Sequence, residues 1–408
     1  MTPEQVARRR AVEALRSGVP SWDAVLALGS GQADVEDRYA ATLDAAEAGT
    51  AGGLLLGAGF GAGKSHLLTH LAQLGLERGF AVSTVVISKE TPLHDPAKVF
   101  QAAVESLVGA ARVRGALVEA VEALDPDTQG YLELSRWLSS PAVDDRFAAT
   151  LLLHERLRSG DAPDSDEIVE SVVRFWSGDP LRTPDLRRAL KAVGAGGVHT
   201  LAPLSARDLA RQRTRFLSRL LRAAGYAGWI VLFDEVELIG RYTLLQRGRS
   251  YAELARWIGG DPDDPGAPLV AVMAMTDDYE AAVLTGKEDR TKVPGKLRDK
   301  QTQEWTEIAS LAEKGMRHVE RDLLLLDPPD SAELDRAYAL LKELHGTAYD
   351  WSPPDVPGLE RLGATRMRQY VRAWINAWDL VRLDPDYEPD TQVVDVASSY
   401  DEDEALGG

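Results

Sequence analysis

The stretch Gly53-Leu-Leu-Leu-Gly-Ala58-Gly-Phe-Gly-Ala-Gly63-Lys64-Ser65-His66-Leu67-Leu68 decides the fold of this chain. Its apolar run is too short for a core helix, and its glycine-dense middle ends in Gly-Lys-Ser. Its last residues open a helical spacing that Leu71 and Leu74 continue. The succession reads as strand, phosphate-binding loop and helix. Glycines let the backbone curl until consecutive N–H groups face one anion, and the positive end of the following helix points at the same spot. The cradle is therefore expected to comprise Gly59, Phe60, Gly61, Ala62, Gly63, Lys64, Ser65 and His66. Lys64 would reach the β- and γ-phosphates of ATP, and the Ser65 hydroxyl would sit on Mg²⁺. The strict pattern has glycine where this chain has Ala58; that position opens the turn and need not touch phosphate. The flanking strand and helix favour this reading over a glycine turn with an exposed lysine.

A second chemical element is Trp229-Ile-Val-Leu-Phe-Asp234-Glu235, an apolar strand ending in adjacent carboxylates. At the end of a parallel strand Asp234 would hold Mg²⁺, and Glu235 would orient and deprotonate an attacking water. Helix N-cap chemistry is the alternative for two such acids, and the Gly-Lys-Ser loop upstream tips the balance to catalysis. Glu237 reads as a helix-surface residue. Leu269–Met275 is another buried strand, and Thr276 at its end, then Asp277, are the choices for sensing the γ-phosphate, with ordinary strand-end capping as the rival reading.

Around these elements Ala81–Ser88 is a β-branched buried strand, followed by the loop Lys89–Leu93, and Asp322–Leu326 is a further strand. Ala97–Ala123 reads as one long helix. Helical stretches near Tyr131–Leu138, Arg146–Arg158, Glu167–Trp176 and Pro184–Val193 form an all-α insertion. Two helices broken by Ser17-Gly-Val-Pro20, and a third over Val35–Glu47, lead into the first strand and are expected beside the nucleotide site. Asp330–Leu344, capped by Ser331, and an amphipathic helix with Met367, Tyr370, Trp374 and Trp378 close the folded part. The expected organisation is 1–48 helical lead-in, 49–330 nucleotide-binding core with an insertion at about 100–204, 331–383 helical lid, and 384–408 acidic disordered tail.

Composition bounds the rest. With 408 residues the chain can hold two or three domain-sized units. The absence of cysteine removes disulfides and thiolate chemistry. No apolar run reaches the length of a membrane span and no signal core follows the N-terminal arginines, so a cytoplasmic protein without membrane contact is expected. The net charge of −18 argues against a broad nucleic-acid surface, although nine acids without a Lys or Arg after Leu383 carry half of it. Two basic stretches stand out, Arg207–Arg222 on a helix and Lys287–Lys300 in a loop expected to be mobile. A solvated face is the first reading of each, and a DNA contact the second. His66 and His70 have metal-compatible spacing but no third ligand.

The order of strands, Gly-Lys-Ser loop, Asp-Glu and Thr-ended strand resembles an AAA+ ATPase of the additional-strand class. The fold expected is thus α/β, an AAA+-like P-loop NTPase with a parallel sheet, helices on both faces, the all-α insertion and a C-terminal lid. Gly363-Ala-Thr-Arg366 is similar to the lid motif of origin-recognition-type initiators. That similarity implies that Arg366 senses the γ-phosphate, with Arg368 as its substitute. A subunit-borne arginine finger is implied as well, among Arg290, Arg298, Arg317 and Arg321, with Arg241 as a candidate within the chain. Glu13–Pro20, Gly61–Leu68, Ser88–Leu93, Phe233–Tyr242 and Ser250–Trp257 resemble the BREX-type ATP-binding proteins, BrxD and the related BrxC/PglY domain. The resemblance implies an ATP- and Mg²⁺-dependent ATPase subunit of bacterial anti-phage defence, a switch or assembly factor with defence-system partners and a homo-oligomeric state. An ATP-holding scaffold with negligible hydrolysis and a small-substrate P-loop kinase are the rival functions.

Overall fold

The computed structural model describes residues 2–112, 115–158, 165–262, 264, 266–356, 367–384 and 386. Three helices, α1 (Pro3–Ser17), α2 (Trp22–Leu28) and α3 (Ala33–Glu47), precede β1 (Gly52–Gly57) and α4 (Lys64–Glu77). Next come β2 (Ala81–Val86), α5 (Pro96–Glu105) and a helical series α6 (Ala116–Glu122), α7 (Gln129–Leu138), α8 (Asp145–Arg158), α9 (Ser165–Ser177) and α10 (Thr183–Ala192). Helix α11 (Ala206–Ala223) leads into β3 (Trp229–Asp234), a 3₁₀ turn (Val236–Arg241), α12 (Leu244–Ile258) and β4 (Leu269–Met275). A π turn (Glu280–Thr285), α13 (Asp289–Arg298), α14 (Gln303–Arg321), β5 (Leu323–Leu325), α15 (Ser331–Tyr349) and α16 (Met367–Leu383) complete it.

The five strands pair in parallel in the order β2-β3-β4-β1-β5. Both faces of the sheet are covered, so its strands are apolar throughout rather than alternating. Ile230, Leu232, Val270, Val272 and Ala274 pack on α3 and α4. Val231, Phe233, Ala271, Met273 and Met275 point the other way, into a larger core with α5, α11, α12, α14 and the helical series after β2. A third core joins the chain ends: Val12, Leu15 and Ala24 of α1 and α2 interlock with Leu341, Leu344, Trp374 and Trp378 of α15 and α16. Helices α1, α2, α15 and α16 are therefore one helical unit.

Several expectations need correction. The long helix read over Ala97–Ala123 is two, and between them Val108 bridges Val82 of the edge strand β2. The α15 cap is Asp330, whose carboxylate accepts the Glu333 N–H; Ser331 is the first helical residue. The basic face of α11 is spent inside the protein. Arg207 pairs with Glu304, Arg211 with Glu253, Arg215 with Asp261, and Arg219 with Asp264. Arg213 is buried against the carbonyls of Gly178 and Asp179, and Arg222 donates to the Glu47 carbonyl. Those pairings hold the α12–β4 connection and the insertion onto α11, and the DNA reading of this helix falls. The segment read as a mobile basic loop is helix α13 with its flanks. Lys287 donates to the Gly240 carbonyl, Arg290 pairs with Glu280 and Glu320, Lys292 with Glu288, and Arg298 with Glu313. Arg290, Lys292 and Arg298 are largely exposed in these pairs, which fits the solvated face that is the first reading of the segment. Gly363–Arg366 and all of the acidic tail but Asp384 and Asp386 lie outside the described residues.

Beneath the site is a buried polar network. Arg247 of α12 forms two parallel hydrogen bonds to Asp289 of α13, at 2.8 and 2.9 Å. It also donates to the Tyr242 carbonyl at 2.6 Å. Tyr251 donates to Asp289 at 2.7 Å and meets the Tyr279 hydroxyl at 2.9 Å. Both charges are shielded from water, so removing one leaves the other unpaired in a low-dielectric interior. Asp289→Ala is expected to cost about 3–5 kcal/mol, seen as a drop of several degrees in the thermal unfolding midpoint; an unchanged midpoint would contradict the assignment.

Candidate functional site

The loop between β1 and α4 turns on two glycines in the left-handed region, Gly61 (φ 80°) and Gly63 (φ 101°). A side chain would strain either. Gly63 is the N-cap of α4, and no side chain caps the helix. Its first N–H groups therefore lack a partner from the helix itself and open onto a cavity of about 900 Å³ lined by Phe60 through Leu67. An uncapped helix start with aligned amides and a positive dipole end is a seat for an anion. Lys64 bends back, donating to the carbonyls of Ala58 (2.7 Å) and Gly59 (3.1 Å). Ala58 is buried without a left-handed backbone, so its methyl group fits where the strict pattern has glycine.

β3 is separated from β1 by β4, yet its end reaches the loop. Ser65 Oγ donates to Asp234 Oδ2 at 2.5 Å, and Asp234 Oδ1 accepts the Glu235 N–H at 2.9 Å. These hard oxygens sit at the mouth of the cradle and suit Mg²⁺. Glu235 also lines the cavity and holds a left-handed backbone (φ 57°), which turns the chain from β3 into the 3₁₀ turn. Loss of solvent and then Asp234 raise its carboxyl pKa, while Arg241 and Lys64 oppose. Burial lowers the Lys64 pKa, against the pull of Glu237, Asp234, Asp277 and Asp278. Glu237 is not the surface residue expected: it lines the cavity, and burial pushes its carboxyl up to about 6. No local signal marks its place, because the left-handed turn that redirects the chain is made by Glu235, where no glycine or asparagine announces it.

The far wall comes from the helical unit. The α1–α2 turn contributes Gly18, Val19 and Pro20; the segment before α3 contributes Gly29 to Gln32. Leu340 of α15 with Met367 and Val371 of α16 makes the wall apolar, and Arg336 and Arg368 add charge. Two contacts pin this wall to the nucleotide-binding core. His66 Nε2 lies 2.7 Å from the Gly29 carbonyl. The Gln32 side chain exchanges two hydrogen bonds with the Asp327 backbone, at 3.0 and 3.1 Å. Within the wall itself, Arg368 of α16 donates to the Gly18 carbonyl.

Of the residues singled out from sequence, Phe60, Gly61, Ala62, Gly63, Lys64, Ser65, His66, Asp234 and Glu235 all line the cavity. Gly59 lies behind it as a carbonyl acceptor for Lys64. Thr276 is buried at the end of β4, outside the cavity lining, and Asp277 acts on Lys64 through its charge. Arg366 is among the undescribed residues. His70 pairs with Glu36, and among the described residues no cluster of three His, Asp or Glu could hold a metal.

Parallel sheet, curled amide loop and helix together define a P-loop-like α/β protein. The family model described as BREX system ATP-binding protein BrxC/D matches residues 4–125. The match covers under a third of the chain, and over those residues it supports the resemblance to the BREX-type ATP-binding proteins read from the sequence. No curated protein matches, and among the described residues no helix is long and apolar enough to cross a membrane.

Gly18 joins the α1–α2 turn to α16 within the far wall. Its φ of 71° is left-handed, and a Cβ there would lie 2.7–3.0 Å from the Arg368 guanidinium. Gly18→Ala is expected to destabilise the helical unit by about 1–2 kcal/mol and to weaken ATP binding, read by thermal unfolding and by nucleotide titration. A variant with wild-type values in both would remove this contact from the account.

Proposed function

We propose that this protein is an ATP- and Mg²⁺-dependent ATPase of the AAA+ type, working as a nucleotide-driven switch within an anti-phage defence system. The observation that carries the reading is the Ser65–Asp234 hydrogen bond, which puts the metal-seeking pair at the mouth of an uncapped helix start inside one cavity. The interposed strand β4 supports the additional-strand class, and the apolar wall of α15 and α16 supports a lid.

In this reading the amides of Gly61 to Ser65 cradle the phosphates, and Lys64 exchanges its two carbonyl acceptors for phosphate oxygens. Ser65 and Asp234 hold Mg²⁺, which when bound neutralises phosphate charge. Glu235 orients the attacking water. Phosphoryl transfer asks the protein for placement and charge compensation more than for covalent chemistry. Arg366 remains the lid residue proposed to sense the γ-phosphate, with Arg336 and Arg368 lining the same cavity. Loss of the terminal phosphate would release the lid, and defence-system proteins or further copies of this chain would read that movement.

The test is multiple-turnover phosphate release with and without Mg²⁺, alongside nucleotide titration. Lys64→Ala is expected to weaken ATP binding at least about tenfold, the worth of one charged hydrogen bond. Glu235→Gln should keep binding while turnover falls about 10²-fold. Tight ATP binding by the wild type without phosphate release would leave a nucleotide-holding scaffold.

A further inference from the structure

The roles above leave the far wall of the cavity without a polar task. Glu333, the third residue of α15, lines the cavity from that wall. Its N–H goes to the Asp330 cap at 2.7 Å, but its carboxylate does not return the bond that would complete a capping box. Instead the carboxylate leans across to the segment before α3 and fills the space that a Cβ at Gly31 would need; Gly31 itself is left-handed (φ 69°). Contacts on either side fix that segment: His66 of α4 meets the Gly29 carbonyl, and the Gln32 side chain holds the Asp327 backbone. Gly31 is two residues past the His66 contact, at most about 7 Å of chain, so Glu333 faces the same ligand that the cradle would hold. Among the described residues its carboxylate has no hydrogen bond or ion pair, and Glu333 is only half-buried, so the oxygens are open to the cavity.

This end of the cavity does not suit phosphate. Burial raises the Glu333 carboxyl above its ordinary value, Arg336 opposes, and Asp330 and Asp327 reinforce. The amides and Lys64 draw the phosphates to the other end. Leu326, Ala337, Leu340, Met367 and Val371 line the cavity on the Glu333 side, and an apolar wall suits a flat base. What a half-buried acceptor lacks in such surroundings is a donor. The nucleoside half of ATP carries two kinds, the exocyclic amine of the base and the hydroxyls of the ribose.

We infer that Glu333 accepts a hydrogen bond from a donor on the nucleoside half of the nucleotide and so selects which nucleoside triphosphate the site holds; this rests on the ATP-binding part of the reading above. An ionised carboxylate accepts and cannot donate, so a nucleotide without the matching donor leaves it facing the cavity unpaired. Selection of this kind works by the loss suffered with the wrong ligand rather than by extra area with the right one. Because Glu333 belongs to α15, the same bond ties the nucleoside to the helical unit while the amides of α4 hold the phosphates.

The experiment is equilibrium binding of four nucleotides to the full-length wild type, Glu333→Ala and Glu333→Gln, with thermal unfolding of each variant alongside. The four are ATP, purine riboside triphosphate, which lacks the amine, and the 2′-deoxy and 3′-deoxy forms of ATP. Wild type is expected to bind at least one of the three analogues about tenfold more weakly than ATP, the worth of one hydrogen bond to a charged group, and the analogue that suffers identifies the donor. Glu333→Ala should bind ATP as weakly as that analogue while its affinity for the analogue stays unchanged. Glu333→Gln, which keeps one acceptor oxygen, should fall between. Equal binding of all four by the wild type overturns this inference alone, and so does a preference that survives in both variants. A loss shared equally by all four nucleotides also overturns it, since Glu333 would then serve the fold or the general charge of the site. A wild type that binds none of the four overturns the nucleotide reading and this role with it. Phosphate release is not the readout, so a protein that holds ATP without hydrolysing it fails the ATPase reading and still passes or fails this test on its own.

Discussion

A helix that begins without a cap leaves donors that must be satisfied, and α4 begins that way inside a cavity. Its position is fixed by the sheet. Parallel pairing brings the ends of β1 and β3 level on either side of β4, and from there Asp234 reaches Ser65 in the first turn of α4. An antiparallel partner between them would aim Asp234 elsewhere. The burial of both sheet faces is what makes that register firm, because a slip of one residue would exchange the sets packed on α4 and on α12. The amides, lysine, hydroxyl and carboxylates of the site therefore depend on apolar packing that none of them touches.

The parts legible in the sequence were those whose physics is local. The Gly-Lys-Ser turn, the strand ending in Asp234-Glu235 and each strand of the sheet carry their signal within a few residues, and so do α7 to α10 of the insertion. What failed was non-local. The arginines of α11 look like a solvated or nucleic-acid face until Asp261, Asp264 and Glu253, some forty residues on, fold back onto them. Lys287–Lys300 looked mobile because Pro294 and Gly295 argue against a helix, yet packing of Val293 and Leu297 into the main core overrides propensity there. Glu237 was misplaced because the left-handed turn at Glu235 was not read in, and that turn decides which side of the chain it faces.

The union of the chain ends was hidden for the same reason. Nothing in Pro3–Leu28 announces that Val12 and Leu15 will pack on Trp374 and Trp378. The joint is polar as well as apolar. Trp351 Nε1 donates to His345 Nδ1 at 2.9 Å, which leaves Nε2 to donate its proton to Asp379 at 3.1 Å, and Asp379 also accepts from Arg16 of α1 at 3.1 Å. The chain of donors fixes the tautomer of a fully buried imidazole. Burial alone would raise the Asp379 carboxyl, yet His345 and Arg16 together hold it below its ordinary value. Helices α1, α15 and α16 are thereby tied into one body, and the α1–α2 turn at the cavity goes where that body goes.

This division of the molecule bears on the proposed switch, because the two sides of the cavity are held by different kinds of bond. Beneath the cradle, Arg247 binds the Tyr242 carbonyl just past the 3₁₀ turn and grips Asp289, while Tyr251 links Asp289 to Tyr279 just past β4. The strand ends carrying Asp234 and Thr276 are thus locked to α12 and α13 through buried charge, where displacement would strand an unpaired ion. The opposite wall is held to the core by Gln32 and His66, which use neutral carbonyl and amide partners. Bonds of that kind are worth about 1 kcal/mol each. A nucleotide bridging the two walls would gain or lose several charged contacts with one phosphate, so that energy can rearrange the helical unit while Asp234 and Glu235 stay where the sheet holds them.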